Sequence, residues 1–344
     1  MAAPARVLVV DDSATARGAL VALLALEKGI LVVAEASDGA HAALLAKSMR
    51  PDVITMDLQM PGMSGLDAIR SIMADAPARI LVVCSVGAGN QVDLSLRATA
   101  AGALELIAKP KVEGPEDLRA FGRKVGEAIR VFAEVPVVTR RRQELVNGRP
   151  APLLVHAPGT LDAIGIVAST GGPAALAALL AALPRDFPAP VLIAQHIARG
   201  FGAGLLRWFA EVSPLSVRSA EHGALPRVGS VYLPPDGYDL EVAETGAMQL
   251  IPNASDLCPS GNKLLLSLAH VYGPRAAGVV LTGMGEDGAL GLLAIRTAGG
   301  PTLAQDEASS VVFGMPQAAQ RLGAAEQLLS IEQIAVALKA LAKR

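Results

Sequence analysis

Apolar residues in the first part of the chain fall into short unbroken runs, Val7–Val10, Val53–Met56, Ile80–Val83 and Leu104–Ile107. Runs of this length without polar alternation predict parallel strands covered on both faces. Segments between them, such as Thr15–Ala25 and Ala40–Lys47, space their apolar residues at helical intervals. This alternation predicts a doubly wound α/β domain over residues 1–134, closing with a helix around Leu118–Phe132. The pattern then breaks. Residues 135–158 contain Pro136, the Arg140-Arg141-Arg142 run, Asn147-Gly148, Pro150, Pro152 and Pro158, the composition of a solvated linker. A second α/β alternation occupies residues 159–344 and predicts a mainly parallel sheet, with strands at Ala163–Ala168, Val191–Gln195 and Ala277–Thr282. Within it, the Gly/Pro-punctuated stretch Val217–Pro252 predicts short strands and hairpins. No internal repeat is present.

Composition narrows the class. A chain of 344 residues that is 52% hydrophobic suits two ordinary domains with full cores. The formal net charge of −2 offers no footprint for nucleic acid. Cys84 and Cys258 have neither metal spacing nor the framework of a disulfide scaffold, which points to a reducing compartment. The N-terminus lacks the features of a signal peptide, and no apolar stretch reaches membrane-spanning length. A cytoplasmic protein that is not membrane-inserted is expected.

Open α/β sheets place their chemistry at the carboxyl ends of strands. In the first half those positions hold Asp11 and Asp12, then Asp57, Ser85 and Lys109. Asp11, Asp12 and Asp57 would repel one another, so a divalent metal with hard oxygen ligands, Mg²⁺, is the natural compensator. A carboxylate can attack phosphorus to form an aspartyl phosphate, with Lys109 offsetting charge on the transferred group. Ser85 could then hydrogen-bond the new phosphoryl oxygen and report the change.

The second half repeats the logic. The Ala163–Ala168 run leads into Ser169-Thr170-Gly171-Gly172-Pro173, a strand-to-helix turn that exposes a hydroxyl beside free helix N–H donors. A helix cap is the alternative role for Ser169. The P-loop and dinucleotide spacings are absent, and Val167 stands where a nucleophile elbow would have glycine. A serine needs a base. Of the five histidines, His41 lies in the first domain, His156 in the linker, His222 in a polar loop and His270 in a helical segment; only His196 directly ends an apolar strand. Asp287, in Gly283-Met284-Gly285-Glu286-Asp287-Gly288, is preferred over Glu286 as the acid that orients the imidazole, with helix capping again the alternative.

Two sets of motifs carry resemblances to known families. Val9-Val10-Asp11-Asp12-Ser13, Met56 through Gly65 (MDLQMPGMSG) and Lys109-Pro110 resemble the response-regulator receiver domain. That resemblance implies that Asp57 accepts phosphate from a histidine kinase and that Asp12, Asp57 and the backbone of Gln59 hold Mg²⁺. It also implies that Lys109 contacts the phosphoryl group, with Ser85 as the switch hydroxyl. Ala168 through Pro173, Gln195-His196, Leu281 through Gly288, Ala304 through Ser309 and Val312 through Pro316 resemble the catalytic domain of the CheB-type chemoreceptor methylesterases. This implies hydrolysis of receptor glutamate methyl esters with release of methanol, and often deamidation of receptor glutamines. Carried over, Ser169 is nucleophile, His196 base and then acid, Asp287 its orienter, and the Met284 N–H an oxyanion donor; the hydrolase site uses no cofactor. The implied partners are a chemotaxis histidine kinase and methylated chemoreceptors, and the unphosphorylated receiver is expected to restrain the hydrolase. One stretch departs from the family: Cys258-Pro259-Ser260-Gly261-Asn262 stands for an Arg-Pro-Ser-Val-Asp-like segment, which puts substrate preference at issue. A non-catalytic receptor-binding module and an esterase for another acyl substrate are the competing functions.

Overall fold

The structure, a computed structural model, describes residues 3–85, 90–110, 114–134, 161–255 and 258–342. The expected linker at 135–158, with its arginine run and His156, lies outside them, as do Val86 and Gly87 beyond Ser85. The chain divides into two compact units, Met1–Arg141 and Arg142–Arg344.

In the first unit the order is β1 (Ala5–Val10), α1 (Ala14–Ala25), β2 (Ile30–Ala36), α2 (Gly39–Met49), β3 (Val53–Met56), α3 (Gly65–Asp75), β4 (Arg79–Cys84), α4 (Asn90–Ala100), β5 (Glu105–Ala108) and α5 (Pro115–Glu134). All strands pair in parallel in the order β2-β1-β3-β4-β5. The continuous apolar runs became β1, β3, β4 and β5, and every residue of β3 is buried. The additional strand, β2, lies at the sheet edge and is mostly half-exposed. α1 begins where the Ser13 hydroxyl accepts the Ala16 N–H at 3.3 Å, a cap worth about 1 kcal/mol. α5 starts earlier than its apolar spacing predicts, at Pro115, whose fixed φ suits a first helical position. It buries Val125, Ile129 and Phe132.

The second unit runs β6 (Ala163–Ala168), α6 (Gly172–Ala181), β7 (Val191–Gln195), α7 (Gly202–Val212), β8 (Ser216–Ser219), β9 (Ser230–Leu233), β10 (Tyr238–Val242), β11 (Met248–Pro252) and α8 (Gly261–Tyr272). After a short 3₁₀ turn come β12 (Ala276–Val280), α9 (Ala289–Thr297), β13 (Thr302–Gln305), α10 (Met315–Arg321), β14 (Gln327–Leu329) and α11 (Ile331–Leu341). Seven strands form one parallel sheet, ordered β14-β13-β12-β6-β7-β9-β8. The Val217–Pro252 stretch divides: β8 and β9 extend this sheet in parallel, and only β10 and β11 make a hairpin. The core joins Val167, Leu192, Leu264, Leu265, Leu268 and Leu292 across sheet and helices. From β6 the chain winds outward through β7 and then returns to β12 on the other side. The carboxyl ends of β6 and β12 therefore flank a topological switch point, where an open parallel sheet leaves a crevice.

Candidate active site

Ser169 is the first residue beyond β6. Its N–H donates to the Thr282 carbonyl at 3.0 Å, and its carbonyl accepts from Gly172 N–H at 2.8 Å and Gln195 Nε2 at 2.9 Å. The Thr282 hydroxyl donates to the Thr170 carbonyl at 2.9 Å and accepts the Val312 N–H at 2.9 Å. The loops after β6 and β12 and the Val312 segment are thus stitched together by buried bonds. Gly283 allows this approach: a Cβ there would lie 2.6 Å from Ser169 Cβ and 2.3 Å from Met315 Sδ. The Ser169 hydroxyl is half-buried and has no hydrogen-bond partner among the described residues.

His196 follows β7. Ala168 pairs with Gln195 and the His196 N–H reaches the Ala168 carbonyl at 2.9 Å. Ser169 and His196 are therefore the next residues on adjacent strands, about 5 Å apart in backbone spacing. Gln195 ties both backbones, its amide donating to the Ser169 and His196 carbonyls at 2.9 and 2.7 Å. The imidazole Nε2 bonds Asp287 Oδ2 at 2.8 Å, with only 8% of the His196 side chain exposed, so Nδ1 is the ring nitrogen left for another partner.

Asp287 sits two residues before α9, beyond β12, which ends at Val280 rather than Thr282. Its carboxylate also accepts the Gly261 N–H at 2.5 Å and the Asn262 N–H at 2.9 Å, with the Ser260 hydroxyl at 3.4 Å. Burial pushes its pKa up, but the bonds from His196, Asn262 and Gly261 outweigh that and hold it below the ordinary carboxylate value. Of the two candidate acids, Asp287 is the one bonded to the imidazole.

The stretch that departs from the resembled pattern therefore bonds Asp287 directly. Ser260 caps α8, and Gly261 and Asn262 present the first-turn N–H groups to Asp287. The Asn262 side chain accepts the Gly291 N–H at 2.9 Å, tying α8 to α9. These residues, with Gln195 and Thr282, escaped the strand-end reading. Pro259-Ser260 before an apolar run was the available signal for a helix start, but nothing local identifies what a helix's free N–H groups will hold. Met284, by contrast, follows Gly283, the residue that packs on Ser169; it is 37% exposed, and its N–H has no partner among the described residues.

The first unit gathers its own set. Asp11, Asp12 and Asp57 each offer a carboxylate oxygen within 4.8 Å of the others, Asp12 exposed and the other two buried. Lys109 Nζ bonds Asp11 Oδ2 at 2.7 Å and also Asp57 Oδ2. Burial disfavours the ammonium, but the two carboxylates more than offset this and raise its pKa. The Gln59 N–H donates to Asp57 Oδ1 at 3.2 Å. Gly65 packs against the Asp57 carbonyl, where a Cβ would come within 2.1 Å. Ser85 is exposed and lines a small pocket with Asp57, Leu58, Cys84 and Ser95. Cys84 and Cys258 are both free and buried.

Comparison with known proteins bears on both units. Residues 7–120 match the response regulator receiver domain and residues 164–338 the CheB methylesterase domain. The chain belongs to the CheB methylesterase family. A protein-glutamate methylesterase/protein-glutamine glutaminase 3 of Myxococcus xanthus is 52% identical over 324 residues, 94% of this chain and 90% of the relative. A protein-glutamate methylesterase/protein-glutamine glutaminase 2 of Anaeromyxobacter dehalogenans is 44% identical over 99% of this chain and 98% of its own length. The crystal structure of the Thermotoga maritima CheB methylesterase catalytic domain matches with a TM-score of 0.50 and 32% identity, over 53% of this chain and all of that one. Among these CheB relatives the present chain is thus a two-part member, a receiver preceding a methylesterase domain. Three clustered carboxylates are a donor set suited to a hard divalent cation, the kind a receiver domain uses. Among the described residues no helix is long and apolar enough to cross a membrane.

Proposed function

We propose that residues 159–344 hydrolyse glutamate methyl esters on chemoreceptors, releasing methanol, and that phosphorylation of Asp57 in residues 1–134 raises this activity by relieving the restraint of the unphosphorylated receiver. The supporting observation is the Asp287–His196 bond beside the unpartnered Ser169 hydroxyl. With Nε2–H directed to Asp287, Nδ1 accepts the Ser169 proton as the hydroxyl attacks the ester carbonyl. The Met284 N–H stabilises the oxyanion, a contribution of about 3–4 kcal/mol per donor. His196 returns the proton to the departing methoxide, giving methanol and an acyl-enzyme. Water, deprotonated by the same imidazole, then releases the glutamate carboxylate and restores Ser169. A glutamine side chain at this site would follow the same route, with ammonia as leaving group.

In the receiver, Asp57 takes the phosphoryl group from the phosphohistidine of a chemotaxis kinase: the N–P bond breaks as an O–P bond forms. Asp11, Asp12, Asp57 and the Gln59 carbonyl would hold Mg²⁺, which neutralises phosphoryl charge when bound. Lys109, already charged and seated against Asp57, contacts the transferred group, and Ser85 donates its hydroxyl to it.

The test is methanol release from methylated receptor. Wild type should release it, faster with a small-molecule phosphodonor. Asp57→Asn should give low release that the phosphodonor does not raise. Full release by Ser169→Ala would overturn the hydrolase assignment. Failure of an active-site serine reagent to label Ser169 would favour a non-catalytic receptor-binding module.

A further inference from the structure

The first turn of α8 holds two carboxylates at once. Ser260 N–H donates to Asp239 Oδ1 at 2.7 Å, while the next two N–H groups, of Gly261 and Asn262, go to Asp287. Asp239 is itself fully buried and fixed by Asn253 Nδ2 at 2.8 Å and Lys263 Nζ at 2.7 Å. Three successive amides thus form a rigid seat whose position sets that of Asp287. The seat also fits the strand that delivers Ser169. A Cβ on Gly261 would lie 2.1 Å from Val167 Cγ1 and 2.8 Å from its Cγ2, far inside contact distance. Val167 has no exposed surface and its neighbours are core residues, so it cannot retreat without disturbing β6 two residues before Ser169.

We propose that Gly261 and Asn262 are positioning residues for Asp287, and that the bare Cα of Gly261 and the side chain of Val167 form one matched fit that fixes the acid relative to Ser169. This rests on the reading of Ser169, His196 and Asp287 as the catalytic groups. The departure at residues 258–262 then leaves the acid seated, with bulk held at position 167 and absent at 261. A side chain at 261 pushes α8 off β6, carries its N–H groups from Asp287, and misdirects the imidazole without touching substrate.

The experiment measures kcat and KM for methanol release from methylated receptor with the full-length protein. Gly261→Ala should lower kcat by about 10- to 100-fold with KM unchanged, and Val167→Gly/Gly261→Ala should regain at least 10-fold over Gly261→Ala. A kcat within twofold of wild type for Gly261→Ala, or a folded double variant no faster than the single one, would overturn the proposal. Should Gly261→Ala fail to fold, Asn262→Pro and Asn262→Ala replace it. Proline is tolerated in a first helical turn and deletes the N–H, whereas alanine keeps the N–H and loses only the side chain. Asn262→Pro should fall about tenfold below Asn262→Ala in kcat, and equal values would refute the role. Asp287→Ala serves as control. If it retains activity, the catalytic reading fails; if it is inactive while Gly261→Ala and Asn262→Pro are normal, only the positioning proposal fails.

Discussion

The two units hold a key carboxylate in opposite ways. In the receiver, Asp57 and Asp11 are balanced by a side-chain cation, Lys109, and by the Gln59 N–H. In the methylesterase domain, Asp287 has no lysine or arginine bonded to it among the described residues and is held by backbone N–H groups and the imidazole. The function proposed above accounts for the contrast. Under it, Asp57 gains a phosphoryl group and a metal's company, to which a mobile ammonium can shift. Under the same proposal, Asp287 stays ionised and still while a proton moves on and off His196, and fixed amide dipoles reorganise little during such a step.

Several substitutions can break or sharpen this comparison. Ser169→Ala should lower methyl ester turnover by about a million-fold while leaving incorporation of phosphate at Asp57 intact, as read by methanol release and phosphoryl labelling. Asp287→Asn should lower kcat by about ten-thousand-fold, because an amide cannot hold the imidazole in the same tautomer. Lys109→Met should abolish the response to phosphodonor and keep unstimulated turnover within about threefold, which separates a switching cation from a structural one.

Asp239 supplies the pH-dependent case. Burial raises its pKa, but Lys263, Asn253 and the Ser260 N–H lower it further, to a net value below the ordinary carboxylate range. Its folded pKa is thus depressed, so its stabilisation is present above about pH 4 and is lost as pH falls through the folded value. Asp239→Asn should cost about 1–3 kcal/mol at neutral pH. The gap to wild type should shrink in acid, as measured by the methylesterase domain's urea transition across pH 3 to 7. The smallest effect is expected of Ser260→Ala, about 1 kcal/mol for the α8 cap that bonds the Lys263 N–H, checked in the same way.

The strand-end reading reached Asp11, Asp57, Lys109, Ser169 and His196 because each follows directly on a short apolar strand, fully buried in β3, β6 and β7 and partly so in β1 and the edge strand β5. Asp287 was harder: it lies seven residues past β12 and is singled out by its bond to the imidazole. Edge strand β2 carries the apolar run Ile30–Ala34 yet went unassigned in the sequence reading, whereas β13 and β14 each offer only two consecutive apolar residues beside polar ones. The Cys258–Asn262 departure was read for substrate preference alone, and the structure adds that its backbone bonds Asp287.

What the sequence determined by itself was which candidate side chains stand at the strand ends and their order along two parallel sheets, because burial on both faces writes itself into unbroken apolar runs. Only the tertiary structure decided how Asp287 is held. Its amide partners lie 25 and 26 residues away, and a backbone N–H is the same group whatever the residue. No pattern of residue types could announce that bond. The sole trace is a missing side chain at Gly261, and its meaning depends on Val167 standing against it.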